Sequence, residues 1–193
     1  QIMRSIVSFA LLLLPQVYAL VATNAAFVRR SVVKYTDQAV PASVVKDALD
    51  AAVLAPNHFL SEPWRFYSLG PKAIASLNEL NPEKAAMFKG VPNWMAFTLK
   101  SEHDLHSKLW LEDHAAVSCS VQNFMTSLAG EGIGSKWMTG ALGISPDDVL
   151  SAIGAGEGEH LIGVIWYGMP AKGLEETKAP PRKLGVTGVL IEV

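Results

Sequence analysis

The sequence predicts an α+β domain in which helices flank one central mixed β-sheet. Three observations carry that expectation. Apolar residues make up 50% of the chain and charged residues 18%, enough apolar material to bury a core. Stretches with apolar residues at helical spacing alternate with short apolar runs of strand length. The alternation keeps no strict β-α-β rhythm, so helices and strands are read as flanking layers rather than as crossover units. At 193 residues there is room for one ordinary domain.

The N-terminus stands apart from that domain. Met3-Arg4 precedes an apolar run from Ile6 to Leu14 broken only by Ser8, and small residues follow at Val17-Tyr18-Ala19 and Thr23-Asn24-Ala25. A positive start, a short apolar stretch and small-x-small exits describe a signal peptide. The run is shorter than the roughly 20 apolar residues a bilayer span needs, and Pro15 interrupts a continuous helix. A buried first helix of the domain is the alternative. Ala26-Phe27 before Arg29-Arg30 also resembles the junction in presequences of algae with secondary plastids. The expected organisation is a signal or targeting segment over residues 1–26 and a domain over 27–193. The implied location is the secretory route, with a plastid as one endpoint and the cytoplasm as the alternative.

Within the domain, Ser43 to Ala55 carries apolar residues at 44, 45, 48, 49, 52 and 53, with Lys46, Asp47 and Asp50 opposite. Pro41 precedes this helix and Pro56 ends it. Trp64 to Leu69 reads as a strand closed by Gly70-Pro71, and Ala73 to Leu80 as a helix. Trp94 to Leu99 is a second strand, rich in aromatic and apolar residues. Leu105 to Ala129 is the longest helix, stopped by Gly130 and Gly132. Gly134 to Met138 is a short strand. Ser145-Pro146-Asp147-Asp148 is a capping box that opens a helix to Ile153. Leu161 to Tyr167 is apolar enough for a central strand, Lys172 to Lys183 is a polar loop, and Val186 to Val193 a terminal strand. That last strand pairs either with its own sheet or with a second copy.

Composition excludes several function classes. A net charge of −2 provides no basic field for nucleic acid. The lone cysteine, Cys119, permits neither an intramolecular disulfide nor a thiolate metal site. It lies in the apolar run Ala115 to Leu128 and reads as a buried small hydrophobe. His58, His103, His106, His114 and His160 show no zinc-like cluster. No dinucleotide fingerprint follows a strand, no phosphate-binding P-loop occurs, and Ser118 and Ser120 sit in no nucleophile elbow. Two small basic clusters remain, Arg29-Arg30-Ser31 with Lys34, and Pro180-Pro181-Arg182-Lys183. Each suits one phosphate group, although by themselves such pairs also read as ordinary solvated surface.

The setting of those clusters resembles the nitroreductase family, and within it the compact branch with an A-P-[DN]-H motif. Arg29-Arg30-Ser31-Val32-Val33-Lys34-Tyr35 is followed by Val40-Pro41, an amphipathic helix, Ala55-Pro56-Asn57-His58 and Pro63-Trp64-Arg65-Phe66. Val91-Pro92 then leads into the second strand, and Gln122-Asn123 lies in the long helix. Further on, Gly132-Ile133-Gly134-Ser135-Lys136-Trp137, the stretch Gly163 to Pro170, and the final basic turn keep the family's order. The sequence departs from the pattern at Val33, where a cation is common, at Leu60, and at Glu62, where a glutamine is usual.

The resemblance implies a nitroreductase-like fold, an intertwined homodimer and FMN at each of two subunit interfaces. Arg29, Arg30 and Ser31 would hold the FMN phosphate and ribityl chain, with Arg182 and Lys183 approaching the same phosphate. His58 would reach the flavin held by the partner subunit, and Trp137, Met138 and Thr139 would line the ring. The implied reaction is ping-pong: NAD(P)H gives hydride to flavin N5, and a nitroaromatic, quinone or similar acceptor takes it. No metal, nucleic acid or stable membrane anchor after processing is implied. Three other readings stay open: a flavin-binding or storage protein without turnover, a specialised flavin enzyme such as a dehalogenase, and a cofactor-free dimerising domain.

Overall fold

A computed structural model describes residues 25–192. The signal-like segment falls almost wholly outside the described residues. No helix among the described residues is long and apolar enough to cross a membrane.

Nine principal elements follow one another: α1 (Ala42–Ala52), β1 (Trp64–Ser68), α2 (Pro71–Leu80), α3 (Ala85–Lys89), β2 (Asn93–Lys100), α4 (Lys108–Gly130), β3 (Gly134–Met138), α5 (Pro146–Ile153) and β4 (Glu159–Gly168). The strands form one sheet in the order β1-β2-β4-β3, and each neighbouring pair is antiparallel. The parallel component expected of a mixed sheet is confined to an isolated bridge between Ser31 and Ser135.

Both central strands are buried on both faces, which is why they read as continuous apolar runs. Alternate residues divide between two cores. Met95, Phe97, Leu99, Ile165 and Tyr167 pack with α1 and α4. Trp94, Ala96, Val164 and Trp166 pack on the other face with α2, α3 and α5. The molecule is therefore a three-layer sandwich with the sheet in the middle.

Local chemistry sets the helix ends. Ser107 caps α4 by accepting the Trp110 amide at 3.2 Å, and Ser145 caps α5 by accepting the Asp148 amide at 3.1 Å. Beyond α4, Gly132 turns the chain with φ of 73°, a conformation glycine adopts without steric cost.

Two expectations are corrected. The segment from Val186 onward is not a strand: 186–188 form a single 3₁₀ turn and the described residues after it are irregular and exposed. Both flanks of the central strands are already occupied, and no edge of its own sheet takes the segment up. Cys119 is exposed rather than buried, because it lies on the side of α4 away from α1 and the sheet.

Candidate functional site

The basic segment at 29–36 runs along one end of the sheet. Val32 N donates to Ser135 O at 3.0 Å, and Thr36 N donates to Met169 O at 2.8 Å. Ala171 N returns a bond to Lys34 O at 2.9 Å, so the segment is pinned to β3 and to the chain leaving β4. Gly134 makes the docking possible. A Cβ there would lie 2.8 Å from a Val32 methyl.

This docking brings the two ends of the domain together. Arg30 Nε donates to Thr177 O at 2.9 Å, tying the N-terminal segment to the proline-bearing loop. The resulting cleft of about 490 Å³ is lined by Arg29, Arg30, Ser31, Thr177, Lys178 and Arg182, together with smaller apolar residues. No carboxylate lines it. Among the described residues, none of these cations forms an ion pair. The Arg29 guanidinium is held below its ordinary pKa, first by burial and then by the charges of Arg182 and Arg30. Arg30 spends Nε and Nη1 on the carbonyls of Thr177, Phe27 and Arg29, so Arg29 and Arg182, with no carboxylate beside them, are the cations placed to favour an anion.

A smaller apolar cavity of about 260 Å³ adjoins the cleft and shares Ser31 and Thr177 with it. A larger groove of about 790 Å³ lies elsewhere, between α2 and α5. Its charged residues, Lys72, Glu79 and Asp148, are of both signs, so it offers no comparable field.

The remaining candidates divide. Trp137 and Thr139 stand at the far end of β3, two and four residues beyond Ser135. The Trp137 indole reaches β4, with Nε1 donating to Ile162 O at 3.2 Å. Met138 turns its side chain into the second core. Lys183 follows Arg182 but does not line the cleft. His58 is elsewhere, on the turn after α1, with Nδ1 against the Glu112 carboxylate. Two cleft residues, Thr177 and Lys178, escaped the sequence reading, although Lys178 stands only four residues before Arg182. No group of His, Cys, Asp and Glu among the described residues is arranged to hold a metal ion.

Comparison with known proteins gives consistent likenesses. Residues 26–104 match the sequence model of the "Nitroreductase family". A Bacillus subtilis protein named "Putative NAD(P)H nitroreductase YfhC" is 28% identical over 170 residues, which cover 79% of this chain and 86% of the relative. The "Nitroreductase-like Family Protein from Bacillus cereus" superposes with a TM-score of 0.75 at 24% identity, covering 89% of this chain and 95% of the other. A structure from Desulfovibrio desulfuricans, titled as a "putative nitroreductase in complex with fmn", superposes with a TM-score of 0.72 at 22% identity, covering 89% and 96%. The structural likenesses establish the fold.

Proposed function

We propose, because the chain belongs to the nitroreductase family and is thereby an oxidoreductase, that it binds FMN and passes hydride from NAD(P)H to a nitroaromatic, a quinone or a similar small acceptor. The observation that carries the proposal is the convergence of Arg29, Arg30 and Arg182 on a cleft that no carboxylate lines. That donor set fits a phosphomonoester, which guanidinium forks bind in a bidentate manner. The FMN held by the D. desulfuricans neighbour supports the same ligand.

When bound, FMN supplies the two-electron hydride chemistry, which explains why no nucleophile, triad or metal cluster is needed. The chain's own residues hold and orient. Arg29 and Arg182 neutralise the phosphate, and the exposed Ser31 hydroxyl donates beside them. From Ser135 to Trp137, β3 covers roughly 7 Å, and Trp137 and Thr139, beyond the anion end, are the residues that would line the flavin ring. Met138, with its side chain in the core, contributes backbone alone, and Lys183 adds charge at the rim. His58, which does not line the cleft of its own chain, would serve the flavin held by a second copy.

The direct test is the absorbance spectrum of the purified protein before and after anaerobic NADPH or NADH. A yellow protein that bleaches is expected. One that stays yellow with both donors is a flavin-binding protein without turnover, and a colourless protein that takes up no FMN ends the proposal. Arg182→Ala tests the assignment of the cleft. It is expected to weaken FMN binding by about 1.5–3 kcal/mol, the loss of a charged hydrogen bond, as read by fluorescence titration.

A further inference from the structure

The geometry points to Glu112 and Asp113, adjacent on α4, as positioning residues for His58; the inference rests on the proposed reading that His58 serves a flavin held by a second copy. The turn that carries His58 is strained. Phe59, Leu60 and Glu62 have φ of 48°, 56° and 44°, in the left-handed region that side chains with a Cβ avoid. Such a conformation persists only where its surroundings impose it.

Those surroundings are specific. Asp113 is 3% exposed, and its two carboxylate oxygens accept from Ser61 Oγ and Ser101 Oγ, each at 2.7 Å. This joins the end of the strained turn to the end of β2. One residue earlier, Glu112 takes His58 Nδ1 with one oxygen, while Lys108 Nζ stands 3.8 Å from the other. Across the turn, Asn57 Oδ1 accepts the Glu62 amide at 3.1 Å and Asn57 Nδ2 donates to Ala55 O at 3.1 Å. With its Nδ1 proton given to Glu112, the imidazole is fixed in one tautomer, and Nε2 is the nitrogen left for another partner. Phe59, beside it, meets the imidazole edge-on with ring centroids 4.2 Å apart and is otherwise 94% exposed, so the clamp fastens a turn whose tip is open to solvent. A pair of carboxylates that served only to fasten the loop would need Asp113 and Ser61 alone. Glu112 acts on the ring.

The test uses the full chain with FMN and reads two quantities. Imidazole nitrogen NMR of the flavin-free protein is expected to show His58 with its proton held at Nδ1, and exchange between tautomers in Ser61→Ala and Glu112→Ala. Each variant is expected to weaken FMN binding roughly five-fold, about one hydrogen bond. In a His58→Ala background the same substitutions are expected to add nothing further, because their effect runs through the ring. Asp113→Asn, which keeps an acceptor for Ser61, is expected to retain the affinity that Asp113→Ala loses. A full additional loss on top of His58→Ala overturns the proposal, as does an unchanged tautomer in both variants. If the tautomer responds but His58→Ala leaves FMN binding intact, the clamp stands and the flavin reading of His58 fails.

Discussion

One glycine shows how a single residue shapes the site. A Cβ at Gly163 would lie 2.1 Å from Trp137 Nε1 and 2.6 Å from Cδ1, so the indole can lie on β4 only because position 163 has no side chain. Gly163→Ala must push Trp137 off the strand and break its bond to Ile162 O. Overpacking of this kind costs about 1–3 kcal/mol. Thermal unfolding should show a loss of that size, with weaker FMN binding alongside. An unchanged melt would mean the indole has another place to go. Arg29, Arg30 and Arg182 stood out only through the family resemblance of the segments around them, since two basic pairs alone read as solvated surface. Asp113 was not readable. A lone aspartate in a helix reads as solvated, and only folding reveals the two serines from distant segments that bury it.

Among the elements, the sheet is tied at one end by Glu159. Tyr67 Oη of β1 donates to it at 2.8 Å, Thr98 Oγ1 of β2 donates to its other oxygen, and the Gly156 amide donates at 3.1 Å. Burial alone would raise the Glu159 pKa, but the Thr98 and Tyr67 hydroxyls, the Gly156 amide and the Arg65 charge outweigh it and hold the carboxyl below its ordinary value. A carboxyl with a depressed folded-state pKa contributes stability above its unfolded value, and that contribution is lost as pH falls through the folded value. Denaturant midpoints measured from about pH 6 downward should therefore drop below roughly pH 4.5. Glu159→Gln should flatten that part of the profile. If the profile keeps its acid limb, the tie does not control it. The core strands and their order of appearance were legible because a strand buried on both faces must be apolar throughout. The strand expected after Val186 failed for a related reason. Apolar alternation marks a surface to be covered but does not say by which chain, and no edge of the sheet takes this segment.

At the scale of the whole molecule, the described residues leave a broad apolar surface uncovered. Leu184, Val186, Val189, Leu190 and Ile191 of the tail are between 61% and 81% exposed, and Leu54, Phe59 and Leu60 protrude beside the strained turn. Leu111, Ala115 and Cys119 continue an exposed stripe along α4. A second copy laid over this surface, which the proposed function calls for, would cover the tail, the outward face of α4 at Cys119 and the turn that carries His58. Deleting 187–193 removes Val189, Leu190 and Ile191 from that contact. Burying such side chains stabilises by about 1.5–3 kcal/mol each before the cost of ordering the tail. The deletion should therefore weaken self-association by about 3–5 kcal/mol, measured as a dissociation constant by analytical ultracentrifugation. FMN affinity should fall with it, because a site that borrows His58 from a neighbour is incomplete in a monomer. A truncated chain that still dimerises as tightly as the whole would show that the tail has no share in the interface.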